Sequence, residues 1–73
     1  MKSIQINREP VELYKILKFE GLAGSGAEAK LLIDQGEVRL NGAVELQRRK
    51  KIRGGDRVTL GDEEFLIEFD PAS

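Results

Sequence analysis

Apolar residues recur along this chain with two different periods, and the change of period divides it into parts. Over residues 3–7, Ile4 and Ile6 fall on one side of an extended segment and predict a short strand. Pro10 suits the first position of a helix, where a missing N–H costs nothing. Leu13, Ile16 and Leu17 then fall at i, i+3 and i+4, one apolar face of a helix over residues 11–18. Gly21, which tolerates positive φ, is its stop. Ser25 and Glu28 have the spacing of a capping box, in which the hydroxyl accepts from the Glu28 N–H while the carboxylate reaches back. A second helix is expected from there to about Gln35, with Gly36 as a left-handed end. Ala29, Leu32 and Ile33 share its core face. At about 100° per residue, Lys30 lies at the edge of that face beside Ile33, so its stem packs while its ammonium points outward. Leu31 points away from the core.

After Gly36 the period becomes two. Val38 and Leu40 face inward and Arg39 outward. Asn41-Gly42 is the dipeptide that a tight type I′ hairpin turn prefers. Ile52 is the apolar anchor of the segment that follows, and Gly54-Gly55-Asp56 makes a turn. Val58 and Leu60 form one side of a strand, and Gly61-Asp62 turns again. Phe65, Ile67 and Phe69 form one side of the last strand, with Glu64 and Glu68 pointing away; Pro71 marks a frayed end. The expected class is α+β: two short N-terminal helices packed on a small, mostly antiparallel sheet, as a single domain over residues 1–73. Leu13, Leu17, Ala29, Leu32, Ile33, Val38, Leu40, Val58 and Ile67 should share one core.

With 73 residues the chain makes one domain, of a size that buries only about 60% of the surface its unfolded form exposes. It has no cysteine and no histidine. Disulfides and thiolate chemistry are thereby excluded, along with the usual general base near neutral pH and the commonest metal ligand. No G-x-x-x-x-G-K-[ST] phosphate loop occurs. Asp62-Glu63-Glu64 reads as a solvated turn in preference to a metal site. No catalytic residue, metal, cofactor or small-molecule substrate is therefore expected. No apolar run approaches the roughly 20 residues of a membrane span, and the first residues lack a signal peptide's apolar stretch. A cytoplasmic protein that does not engage membranes is the expectation.

The formal net charge of −1 conceals an uneven distribution. Residues 1–53 hold 11 Lys/Arg and 7 Asp/Glu, whereas residues 54–73 hold 1 and 6. The densest part is Arg48-Arg49-Lys50-Lys51-Ile52-Arg53. Clustering at Debye-length scale sets an electrostatic footprint, and the sum over the chain does not. A solvated loop is the plain alternative for such a run.

Two helices, a capped second helix ending in glycine, a strand, an Asn-Gly turn and a downstream Gly-Asp follow one another in an order that resembles a known family. It is the RNA-binding domain named after the fourth protein of the small ribosomal subunit, whose core is the αL motif. The resemblance covers residues 13–56 and is carried by Leu13, Leu17, Gly21, Leu22, Ser25, Ala29, Lys30, Leu32, Ile33, Gly36, Val38, Asn41, Gly42, Gly55 and Asp56. Val11-Glu12-Leu13, Leu17-Lys18-Phe19-Glu20-Gly21, Ser25-Gly26-Ala27, Ala29-Lys30 and Gly42-Ala43-Val44-Glu45 are similar to the small stand-alone bacterial members, the YbcJ kind. The resemblance implies RNA binding without catalysis. Position 26, an arginine on the RNA surface in much of the wider family, is Gly26 here, as in the stand-alone subgroup. Position 12, often basic elsewhere, is Glu12. Both departures move the expected contact toward the basic run.

RNA offers a dense phosphate track that Lys and Arg bind by displacing counterions. Lys30, Arg39, Arg48, Arg49, Lys50, Lys51 and Arg53 are the expected phosphate contacts on one face, the arginines gripping bidentately and the lysines as point charges. Asn41 joins them as a candidate, with a turn-forming role preferred for it. No exposed aromatic platform is expected: Phe65 and Phe69 follow the core alternation, Phe19 borders the first helix, and Tyr14 is half exposed. Structured RNA read by shape, with ribosomal and transfer RNA as candidates, is thus favoured over single-strand reading. A monomer is expected. The competing interpretation is a protein-interaction adaptor within a ribonucleoprotein particle, supported by Leu31 and the acidic last quarter.

Overall fold

The computed structural model describes residues 1–72. Along the chain lie β1 (Lys2–Ile6), β2 (Val11–Glu12), α1 (Leu13–Phe19), α2 (Gly26–Asp34), β3 (Val38–Leu40), β4 (Ala43–Val44), β5 (Lys51–Ile52), β6 (Arg57–Leu60) and β7 (Glu63–Phe69). Five strands form a sheet in the order β1-β7-β6-β3-β4, and β2 with β5 form a separate pair. The β7–β6, β6–β3 and β3–β4 pairings are antiparallel, while β1 runs parallel to β7. The mostly antiparallel α+β class is therefore correct. The helices do not open the chain, since two strands precede them.

Each local signal acts where its chemistry requires. Ile4 and Ile6 turn inward from β1. The Ser25 hydroxyl accepts from the Glu28 N–H at 3.1 Å, and the Glu28 carboxylate reaches back to the N–H of Gly24, also at 3.1 Å. Asn41 and Gly42 take φ of 52° and 88°, the two left-handed positions of a type I′ turn, which sets Leu40 opposite Ala43.

The core joins both helices to both sheets. Leu13, Leu17, Ala29, Ile33, Val38, Ile52 and Val58 are completely buried, with Ile4, Ile16, Phe65 and Ile67 beside them. Leu32 and Leu40, expected at the centre, are only half-buried and pack against its margin.

Two further expectations fail. The first helix begins at Leu13, and Pro10 lies outside it. Val11 and Glu12 are extended, pairing with Ile52 and Lys51 across β2–β5. Burial of β-branched Val11 against the core favours that extended backbone over one more helical turn. Phe69 keeps the alternation of β7 yet is 42% exposed. It lies past the core, over the Gly54 turn, where a side chain on Gly54 would place its Cβ 2.9 Å from that of Phe69.

The burial difference within α2 is measurable. Ile33→Ala should lower unfolding free energy by about 2–5 kcal/mol, the range for a large aliphatic side chain removed from a packed core. Leu32→Ala should cost clearly less in the same denaturant titration; equal losses would place both side chains in the core. Ser25→Ala should cost about 0.5–2 kcal/mol through the lost cap, seen as a lower midpoint at unchanged slope.

Candidate nucleic-acid interface

An α-helix leaves its first N–H groups without intrahelical partners. At α1 the N-cap residue is Glu12, whose side chain makes no capping bond. The basic segment supplies the acceptors instead. Leu13 N–H donates to the Lys50 carbonyl at 2.9 Å, and Tyr14 N–H to the Arg48 carbonyl at 3.1 Å. Together with β2–β5 pairing and the buried Ile52, these bonds fasten the cationic run across the start of α1. Its side chains project from a backbone held in place.

The acidic groups nearest the run engage it. Arg48 grips Asp34, at the end of α2, with both prongs: Nε lies 2.9 Å from Oδ1, and Nη2 contacts Oδ2. That hydrogen-bonded guanidinium holds the Asp34 carboxyl below its ordinary range, and the carboxylate in turn raises Arg48. Glu12 makes ion pairs on two sides, with Lys15 Nζ at 3.2 Å and Arg49 Nε at 3.8 Å. Arg49 remains 73% exposed. Lys51, the register partner of Glu12, is exposed, while Lys50 is half-buried.

The remaining candidates fall into two groups. Lys30 sits half-buried on α2 with Nζ 4.8 Å from the Tyr14 ring centroid, so it adjoins α1. Arg39 is exposed on β3, and Arg53 is exposed beside the Gly54-Gly55 turn. The brace linking that turn to the β3–β4 hairpin is Asp56. It accepts from the Arg53 N–H at 2.9 Å and from Asn41 Nδ2 at 3.1 Å. Asn41 Oδ1 in turn accepts from the Arg57 N–H at 2.8 Å. The Asn41 amide is thus occupied in holding two turns together, as the turn-forming interpretation has it.

Sequence reasoning missed Lys15 and Lys18 on the outer face of α1, and it misjudged Phe19. The expectation that no aromatic is exposed is wrong: Phe19 is 65% exposed. The signal was present in the helical spacing. Leu13, Ile16 and Leu17 occupy one side of α1, so Tyr14, Lys15, Lys18 and Phe19 must occupy the other. Among the described residues no helix is long and apolar enough to cross a membrane.

Comparison with known proteins agrees with this architecture. A family model described as the S4 domain matches residues 4–68. The chain is 43% identical over 60 residues to YbcJ of Escherichia coli (strain K12), an alignment that spans 81% of this chain and 86% of YbcJ. The YbcJ protein of Shigella flexneri matches to the same extent. The solution structure of the Escherichia coli protein, which reveals an αL motif involved in RNA-binding, superposes with a TM-score of 0.71 at 38% identity, over 93% of this chain and 87% of that one. With nearly its whole length matched by the family model and its fold by that structure, the chain belongs to the S4 domain family.

Proposed function

We propose that this protein is a non-catalytic RNA-binding module that holds structured RNA by its phosphates. The observation that carries the proposal is the anchoring of the cationic segment on α1 through the Lys50 and Arg48 carbonyls. Membership of the S4 domain family and likeness to YbcJ, whose structure carries an αL motif involved in RNA-binding, support it. Lys30, Arg39, Arg48, Arg49, Lys50, Lys51 and Arg53 make the phosphate contacts. Asn41 acts by shaping the turn between Arg39 and Arg53. The protein works as a cytoplasmic monomer without a cofactor. An adaptor role within a ribonucleoprotein particle is the second reading, favoured by the exposed Leu31, Val44 and Leu46.

Salt separates the two, because phosphate binding releases counterions and apolar docking does not. If roughly four to six phosphates are neutralised, log K against log salt should slope at about −3 to −5, at ~0.7–0.9 per phosphate. Replacing Arg48 and Arg49 by glutamine should flatten the slope by up to about two, with little change in stability because exposed charges contribute little. An unchanged slope in filter binding over a salt series returns the basic run to a solvated loop and moves the adaptor ahead.

Asp34 competes with phosphate for Arg48. Asp34→Asn should therefore tighten RNA binding and steepen the slope by up to about one; weaker binding would show that the ion pair positions Arg48 and does not restrain it. The NMR titration midpoint of Asp34 should lie below the ordinary ~3.9 and return toward it in Arg48→Ala. Because this pKa is lowered by folding, the pair's contribution to stability is complete above the ordinary carboxylate range and disappears as pH falls through the depressed value.

A further inference from the structure

The outer face of α1 interleaves aromatic rings with cations. Around the helix, Tyr14, Lys18, Lys15 and Phe19 follow one another over about 140°, opposite the buried Leu13, Ile16 and Leu17. Lys18 Nζ lies 5.9 Å from the Phe19 ring centroid, and the Tyr14 ring has Lys30 at 4.8 Å and Lys15 at 6.0 Å. Phe19 is the largest departure from the burial of apolar rings in this protein, exposed at 65%. It forms one wall of a groove of about 600 Å³ between α1 and β1, whose rim carries Gln5, Arg8 and Glu20 and whose floor reaches Val11 and Ile16. β1 is an edge strand of the sheet, so the groove is open along it.

We infer that this groove takes an unpaired nucleotide, its base stacked on Phe19, where the RNA strand leaves the duplex held by the basic segment. The inference rests on the RNA-binding reading and extends it from shape to single-strand contact. A flat apolar ring beside cations is the arrangement that binds single strands, since every base has a π-face and every nucleotide a phosphate. Lys18 and the exposed Arg8 supply charge for the phosphates on either side. Gln5 and Glu20 offer donors and acceptors to a base edge. Continuity with the cationic segment is direct: Arg49 and Lys15 share Glu12, and Lys15 lies between Tyr14 and Phe19 on the helix surface. An apolar protein partner would meet, beside the exposed Phe19, the charges of Arg8, Lys18 and Glu20.

Two RNAs test this: a blunt hairpin, and the same hairpin with a short unpaired extension carrying 2-aminopurine, made in 5′ and 3′ forms. One extended form should bind more tightly than the blunt stem and lose fluorescence on binding. Phe19→Ala should weaken that form roughly 5- to 150-fold, the usual cost of one lost stack, abolish the quenching, and leave the blunt stem unchanged. Phe19→Trp should preserve both the affinity and the quenching. Lys18→Gln should flatten the salt slope by about one on the extended RNA alone. An unaltered unfolding midpoint in Phe19→Ala excludes a folding effect. If the wild type binds the blunt stem but neither extension adds affinity or quenching, the stacking site is overturned while RNA binding stands. If Phe19→Ala binds every RNA as the wild type does, the ring serves another contact and the inference fails. A wild type that binds none of these RNAs overturns the RNA-binding reading and the stacking site together.

Discussion

The N-terminal N–H groups of α1 are the point on which this protein's arrangement turns. A seven-residue helix has few internal hydrogen bonds, so the donors of its first turn are a large fraction of its backbone polarity. They find acceptors in the carbonyls of Lys50 and Arg48, some 35 residues further along the chain. The segment 48–52 must therefore lie against α1 for the helix to be satisfied, and burial of Ile52 holds it there. A positively charged stretch at the positive end of a helix is electrostatically unfavourable in itself. Glu12 offsets it, pairing with Lys15 and Arg49 at that same end. Glutamate at a position often basic in the wider family is thus part of how the cationic run is accommodated.

What could be read from the sequence was what local chemistry decides. β1 declared itself through Ile4 and Ile6, α2 through Ser25 and Glu28 at one end and Gly36 at the other, and the hairpin through Asn41-Gly42. Each of these depends on residues within one or two turns of each other. β2 and β5 were not legible, because a two-residue strand has no alternation to detect and its partner lies about 40 positions away. Pro10 then invited a helix start that Val11 does not support. Phe69 keeps the right period, but period alone does not say where the core ends. Phe19 was the converse: the spacing placed it outward, while its hydrophobicity suggested otherwise.

The candidate site divides along the same line. The density of charge in 48–53 is visible in one dimension, and so is the outward direction of Arg39. The pairing of Arg48 with Asp34, the bridging by Glu12 and the bracing of two turns by Asp56 are contacts between distant segments, and no spacing reveals them. These acidic residues change what the charges are for. Arg48 is partly neutralised by Asp34, so under the proposed phosphate contact an RNA would have to displace or share that carboxylate. Arg49, more exposed and more loosely held at 3.8 Å, is the easier of the two to recruit. Asp56 belongs to the acidic last quarter by sequence, yet its carboxylate is a structural acceptor inside the turn cluster, bonded to the Arg53 N–H and the Asn41 amide.

Gly26 shows how this surface differs from a purely cationic one. A Cβ built there would meet Lys18 Cδ and Tyr14 Cε2 at 3.9 Å, ordinary contact distances, and its backbone is not in the left-handed region. Neither sterics at the Cβ nor φ requires glycine at this position, where the wider family often carries arginine. Its omission leaves the Tyr14 edge and the Lys18 stem uncovered. Lys18 reaches along α1 toward Phe19, its Nζ 5.9 Å from that ring. Charge removed from the start of α2 is replaced along α1 by cations interleaved with rings. A fixed guanidinium at position 26 would draw a phosphate to the junction of the helices. Under the proposed stacking on Phe19, a junction without that guanidinium would leave Tyr14, Lys18 and Phe19 as the helix surface along which the strand lies.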